Sequence, residues 1–211
     1  MVNSMRPTRA DYYQVLAKTL PNHALVVTAL GNASYLWAAI NHRPENFYVE
    51  DAMGLALPLA LGLAFAQPER RVVAVEGDGA ILMHMGTLVT LGAVAPRNLT
   101  VLLIQNGVHA ASGGQPLTNP DLDFSQLALS AGIRRAKNVT TVEAFASVLR
   151  AAFSENGLDV FVLSTAPDLD VIRPPIAFDP VVTKHRFMTA IKAPRYIATV
   201  FGGGRLERDK N

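Results

Sequence analysis

The chain has 211 residues, of which 50% are hydrophobic and 17% charged, with a formal net charge of +2 at pH 7. That length allows one large or two small domains with an ample core, and the scattered Lys and Arg leave no basic footprint for a nucleic-acid partner. The absence of cysteine excludes a disulfide scaffold or a thiolate metal site and fits a reducing, cytoplasmic setting. The apolar content exceeds what a solitary domain needs, so part of the surface is expected to be buried against another chain. Residues 1–7 lack an apolar core behind a basic region and do not read as a signal peptide. The most apolar stretch, residues 53–66, is too short to span a bilayer, so no membrane role is expected.

Thr8 is placed to cap a helix reaching Leu20, with Tyr12, Val15, Leu16 and Leu20 on one face. Pro21-Asn22 ends it, and residues 25–28 read as a strand. Gly31-Asn32-Ala33-Ser34 turns into a second helix ending near Asn41, and residues 47–49 form a short strand. Residues 53–66 are apolar on all sides, the mark of a helix buried all round, and Pro58 confines its first turn to residues 55–58. Then come a strand over 72–76, a helix over 80–95, a strand over 99–105 and a polar, glycine-containing loop over 107–123. A helix over 124–131, a strand over 133–136, a helix over 141–153 and a strand over 159–164 complete the pattern. Alternation of short strands with helices predicts a doubly wound α/β domain, a mostly parallel sheet with helices on both faces. It takes residues 1–167. Beyond it, Pro174, Pro175, Pro180 and Pro194 interrupt any long element, and Gly202-Gly203-Gly204 precedes a charged end. Residues 168–211 therefore read as an arm, packed on a partner or partly disordered.

Two polar residues stand out because each ends a buried-strand run. Asp78 follows Val72-Val73-Ala74-Val75-Glu76-Gly77, and Asn106 follows Val101-Leu102-Leu103-Ile104-Gln105. The interval between them leaves room for a crossover helix. As neighbours in one parallel sheet, the two strands would bring Asp78 and Asn106 together at its carboxyl edge, where such sheets bind ligands. One carboxylate, one amide oxygen and flanking glycines make a hard, oxygen-rich site suited to Mg²⁺ carrying a diphosphate. Asp78-Gly79 alone would read as a hairpin turn, but the residues after it are helical in character. Gly79 and Ala80 then offer N–H groups to phosphate oxygens at a helix start. Asn106-Gly107 alone is more often only a turn; its position level with Asp78 favours ligation, with the Val108 carbonyl as the nearby backbone ligand. Glu76 would project from the wrong face for a ligand, which points to a structural or interface role.

Met53-Gly54-Leu55-Ala56, Glu76-Gly77-Asp78-Gly79 and Gln105-Asn106-Gly107 together resemble the pyrophosphate-binding domain of thiamine diphosphate enzymes, whose signature is Gly-Asp-Gly followed by an Asn-Asn pair. Gln105 replaces the first Asn; Asn106 keeps the second. The run from Asn106 through Val108, His109, Ser112, Gly113, Gly114 and Gln115 to Pro116 resembles the loop of sulfopyruvate decarboxylase β subunits and phosphonopyruvate decarboxylases, departing from it at Val108, Ala110 and Ala111. The resemblance covers about residues 9–164. It implies that Asp78, Asn106 and the Val108 carbonyl hold Mg²⁺, and that Gly31, Asn32, Gly77, Gly79 and Ala80 line the diphosphate. It also makes Met53, beside Gly54, the apolar wedge that bends the cofactor; a core methionine is the plainer alternative. Asp51 stands where a glycine is expected.

His109 is the candidate substrate-side acid or carboxylate binder, weighed equally against a loop histidine bound to a backbone carbonyl. Ser112, Gly113 and Gln115 offer donors to an anionic substrate tail. His84 reads as packed or interfacial, Trp37 as core, and His23, His42 and His185 have no assigned partners. The resemblance further implies a glutamate on a separate pyrimidine-binding domain, and no such domain precedes these residues. A second polypeptide is expected to supply it, making a hetero-oligomer inactive without that partner. The expected activity is decarboxylation of a small anionic 2-oxoacid, a 3-substituted pyruvate of sulfopyruvate or phosphonopyruvate type. A thiamine-dependent C–C ligase or lyase subunit and a non-catalytic scaffold of the same fold are the alternatives.

Overall fold

The computed structural model describes residues 6–167, 169 and 179–192. Thr8 caps α1 (Arg9–Thr19) through a reciprocal pair of hydrogen bonds with Asp11. The chain continues through β1 (Leu25–Thr28), α2 (Asn32–Asn41), β2 (Asn46–Tyr48), α3 (Ala56–Ala66) and β3 (Val72–Gly77). Next are α4 (Asp78–Met83), α5 (Gly86–Val94), β4 (Leu99–Gln105) and a small hairpin of β5 (Val108–His109) and β6 (Gln115–Pro116). The described residues end with α6 (Phe124–Ser130), β7 (Ala136–Val139), α7 (Val142–Ser154), β8 (Asp159–Ser164) and α8 (Pro180–Ala190).

Six strands form one sheet in the order β2-β1-β3-β4-β8-β7, and every pairing is parallel. Successive crossovers lay α1, α2 and α7 on one face, where Tyr12, Tyr13, Trp37, Phe145 and Leu149 pack on Val73, Val75 and Leu102. On the other face α3, α5, α6 and α8 contribute Leu57, Leu61, Leu91, Phe124 and Phe187 over Ala74, Val101 and Leu103. This is the doubly wound arrangement that the strand–helix alternation predicts. The winding reverses between β1 and β3, and such a reversal opens a crevice at the carboxyl ends of the strands. Trp37 is fully buried and edge-on to Tyr13. Among the described residues no helix is long and apolar enough to cross a membrane.

The structure departs from the expected elements in four places. The helix expected over 80–95 is two: His84 leaves helical geometry at φ −133° and ψ 39°, and Gly86, a poor helix former, opens the second. The strand expected over 133–136 lies at Ala136–Val139. Ile133 is instead a core plug after Gly132 at φ 93°, while the true edge strand exposes Lys137 and Asn138, as edge strands often do. Helix α3 is not buried all round, since Leu59 and Phe65 are exposed. Finally, part of the expected arm is α8, with Asp179 as N-cap and Pro180 at the first position; Phe187 packs edge-on against Phe47. Pro174, Pro175, Pro194 and Gly202 to Gly204 lie outside the described residues.

Candidate active site

Register brings the two polar ends together. Gly77 pairs with Ile104 across β3 and β4, so Asp78 begins level with Gln105. The Asp78 carboxylate, 2% exposed, accepts the N–H groups of Asn106 at 2.9 Å and Gly107 at 2.7 Å through Oδ2, and that of Gly79 at 2.8 Å through Oδ1. It thus ties the β3–α4 turn to the β4–β5 turn. Burial raises its pKa despite these three donors, and among the described residues no cation pairs with it. Asn106, also buried, accepts the Val108 N–H at 3.1 Å through Oδ1. Opposite Val108 in the hairpin stands Pro116, which has no N–H to give the Val108 carbonyl.

Around this pair lies a cleft, lined mainly by residues at and beyond the ends of β1, β3 and β4. Asn32, Met53, Gly77, Asp78, Gly79, Ala80, Asn106, Val108 and His109 all line it. The His109 ring stands over Gly79 so closely that a Cβ there would be 2.6 Å from its Cε1. Gly31 lies outside this cleft, in an adjoining hollow shared with Asn32, Ala110 and Ala111, and turns the chain into α2 at φ 69°. Gly54 is beneath the wall rather than on it. At φ 77°, a Cβ there would be 2.5 Å from the Ala80 carbonyl and 2.7 Å from His84 Cδ2, so only glycine fits. Asp51, in the position where a glycine is expected, keeps a left-handed backbone at φ 55°, which Asp tolerates better than most residues.

Among the helices that begin at this edge, α2, α3 and α4 differ in their first turns. The Gly79 N–H at the start of α4 is turned to Asp78. Helix α3 is closed by Glu76, fully buried, whose carboxylate accepts from Ala56 at 3.2 Å, Leu57 at 3.4 Å and Gly77 at 3.2 Å. Desolvation outweighs these bonds and pushes its pKa up to about 7. The first turn of α2 carries no side-chain cap, and Asn32 and Ala33 line the cleft there.

Gln105 is spent on the loop after β5 and β6, donating to the carbonyls of Pro120 and Leu122. Ser112 and Gln115 bond to each other at the exposed hairpin tip, Ser112 Oγ donating to Gln115 Oε1 and Gln115 Nε2 to the Ser112 carbonyl, each at 3.0 Å. His84 is exposed at the α4–α5 break and packs on Gly54, consistent with its packed or interfacial reading. His42 lies between Tyr48 OH at 2.9 Å and Arg186 at 3.0 Å. The residue that sequence reasoning passed over is Arg9, buried and on the cleft wall. A helix preceding β1 must start at the sheet's carboxyl edge, and that topology was the available signal.

Residues 29–163 match the family model described as thiamine pyrophosphate enzyme, C-terminal TPP binding domain. A phosphonopyruvate decarboxylase of Streptomyces viridochromogenes is 34% identical over 91% of this chain and 48% of its own length; the chain thus spans about half of that relative. The sulfopyruvate decarboxylase subunit beta of Methanococcus maripaludis is 33% identical over 89% of this chain and 100% of its own length. Among solved structures, a thiamin diphosphate-dependent enzyme from Mycobacterium smegmatis superposes with a TM-score of 0.66 at 26% identity, covering 76% of this chain and 32% of that one. The chain belongs to the thiamine pyrophosphate (thiamine diphosphate) enzyme family, and residues 29–163 are its C-terminal cofactor-binding domain.

Proposed function

We propose that this chain is the diphosphate-binding subunit of a two-chain, thiamine diphosphate- and Mg²⁺-dependent decarboxylase acting on a small 3-substituted pyruvate of sulfopyruvate or phosphonopyruvate type. The observation that carries the reading is the buried Asp78 carboxylate in the cleft, fixed by three N–H groups and, among the described residues, with no cation at ion-pairing distance. A divalent ion at that point would relieve the burial that raises its pKa. Among the described residues no three His, Cys, Asp or Glu side chains come together, so the donors are the Asp78 carboxylate, the Asn106 amide oxygen and the Val108 carbonyl. That all-oxygen set suits Mg²⁺ bridged to phosphate. The diphosphate would lie across the first turn of α2 at Asn32 and along Gly77, Gly79 and Ala80, close to Gly31. Met53, beside Gly54, would bear on its rings.

Thiamine diphosphate, when bound, supplies the nucleophilic carbon and the electron sink for loss of CO₂. This chain's part is to hold and orient it, to wall off water with Met53 and Ala80, and to hold a proton. His109, over Gly79 at the rim of the cleft, is placed to deliver that proton to the product-forming carbon or to bind the substrate carboxylate. The pyrimidine-binding half and its activating glutamate come from a second polypeptide. The M. maripaludis protein matched over its whole length is itself named a β subunit, and Leu59, Phe65, Met83, Met85 and Val89 leave an uncovered apolar face on α3, α4 and α5. The complex works in the cytoplasm, with residues 1–167 as the cofactor unit.

The test is CO₂ release from sulfopyruvate and phosphonopyruvate by this chain reconstituted with a pyrimidine-domain chain, thiamine diphosphate and Mg²⁺. The complex turns over one of them, either chain alone is inactive, and His109→Ala lowers kcat by roughly 10²–10⁴-fold with cofactor affinity unchanged. Turnover by this chain alone would overturn the two-chain reading. Silence of the complex on both acids would overturn the substrate class.

A further inference from the structure

Among the described residues Arg9 is the only lysine or arginine that lines the cleft. It is 7% exposed, and its Nε has no hydrogen-bond partner. No carboxylate of the described residues lies within ion-pairing distance of it. A guanidinium stays charged at any working pH and presents five donors in a planar fork. Burying it unpaired is costly, and that cost is recovered only when an anion arrives.

Its place in the fold indicates which anion. Arg9 opens α1, at the carboxyl edge of the sheet: Pro7 accepts the Ala166 N–H, and Tyr12 OH donates to the Ser164 carbonyl at the end of β8. The buried polar residues that line the cleft are Arg9, Glu76, Asp78 and Asn106, whereas His109 is half-buried and Ala111 and Ser112 are exposed. By depth Arg9 thus groups with the two side-chain oxygens assigned to the metal rather than with the exposed residues at the rim. Glu76 and Asp78 also line this cleft, so an incoming diphosphate meets carboxylates as well as a metal, and a fixed cation offsets them.

We propose that Arg9 binds a phosphate oxygen of the diphosphate whose metal is held by Asp78 and Asn106. The inference rests on the cofactor-site reading above and adds a residue to it. Its test is calorimetric titration of Mg²⁺ with inorganic diphosphate into the full-length chain, alone and with its pyrimidine-domain partner, for wild type, Arg9→Met and Arg9→Lys. Melting of each ligand-free protein is recorded in parallel. Arg9→Met weakens diphosphate binding by about 10- to 100-fold, and Arg9→Lys recovers only part of it because the fork is lost. The ligand-free Arg9→Met protein melts at or above the wild-type temperature, since an unpaired buried cation has gone; a purely structural arginine would lower it. Diphosphate binding by Arg9→Met equal to wild type overturns the inference and leaves the cofactor site standing. So does a variant whose only defect is a raised KM for the oxoacid, which would assign Arg9 to the substrate anion. Failure of the wild-type protein to bind diphosphate in either state overturns the cofactor-site reading itself.

Discussion

Asp78 is a backbone latch in the structure and a metal ligand in the function proposed above, and two substitutions tell these roles apart. As a latch it satisfies three backbone N–H groups, of which those of Gly79 and Asn106 belong to buried residues and that of Gly107 to a half-buried one. Asp78→Ala strands all three. At about 1–3 kcal/mol for each buried donor left without a partner, and with some cost returned because a desolvated carboxylate is removed, the net loss is about 2–4 kcal/mol. For a chain of this size that corresponds to a melting temperature lower by roughly 5–15 °C. Asp78→Asn keeps a carbonyl oxygen for Asn106 and Gly107 and loses chiefly the Gly79 bond, about 1 kcal/mol, yet it removes the charge that a divalent ion needs. Urea unfolding and Mg²⁺-dependent thiamine diphosphate binding, measured on both variants, give the comparison. Asp78→Ala as stable as wild type would refute the latch, and full Mg²⁺-dependent affinity in Asp78→Asn would refute the metal role.

Glu76 makes the metal-free protein sensitive to alkali. Its folded pKa of about 7 lies above the ordinary carboxylate value, so its stabilising contribution is complete below about pH 4.5 and is lost as pH rises through 7, by about 3 kcal/mol in all. Glu76→Gln should flatten the dependence of urea midpoint on pH over that window, and an unchanged slope would show that another group titrates. Gly54→Ala drives a Cβ toward the Ala80 carbonyl from a left-handed backbone and should cost about 1–3 kcal/mol, read as a drop in melting temperature; wild-type melting would mean that the turn at residues 53–54 moves freely. Phe65→Lys together with Val89→Lys, at side chains 56% and 62% exposed, should leave the isolated chain's melting within about 1 kcal/mol while abolishing association with the pyrimidine-domain chain in sedimentation. Intact association would move the interface elsewhere.

The site's two poles were legible in the sequence because each is a polar residue ending an otherwise apolar strand, and the pairing of the two across one crossover favours a ligand over a turn. Two buried strands joined by a crossover predict that Asp78 and Asn106 meet at the carboxyl edge of the sheet. Less legible was what those groups bond to in the chain itself. The Gly79 N–H, expected to face phosphate, is turned to Asp78, and the structural role expected of Glu76 takes the particular form of a cap that closes α3. Neither follows from periodicity, because both depend on where three helix starts meet in space. The β7 edge strand escaped because Lys137 and Asn138 carry no apolar signal, and the break at His84 escaped because apolar residues continue across it. Arg9 was hidden for another reason: among the described residues no carboxylate pairs with it.

The central claim is that this chain holds Mg²⁺ and thiamine diphosphate on Asp78 and Asn106 against a second, different polypeptide. Native mass spectrometry of the chain purified gently from its own source with Mg²⁺ retained tests it most directly. The account predicts a complex containing a second polypeptide and the mass of thiamine diphosphate, and loss of that cofactor mass in Asp78→Asn with the two polypeptides still associated. A homo-oligomer that stays empty after thiamine diphosphate and Mg²⁺ are added would contradict it.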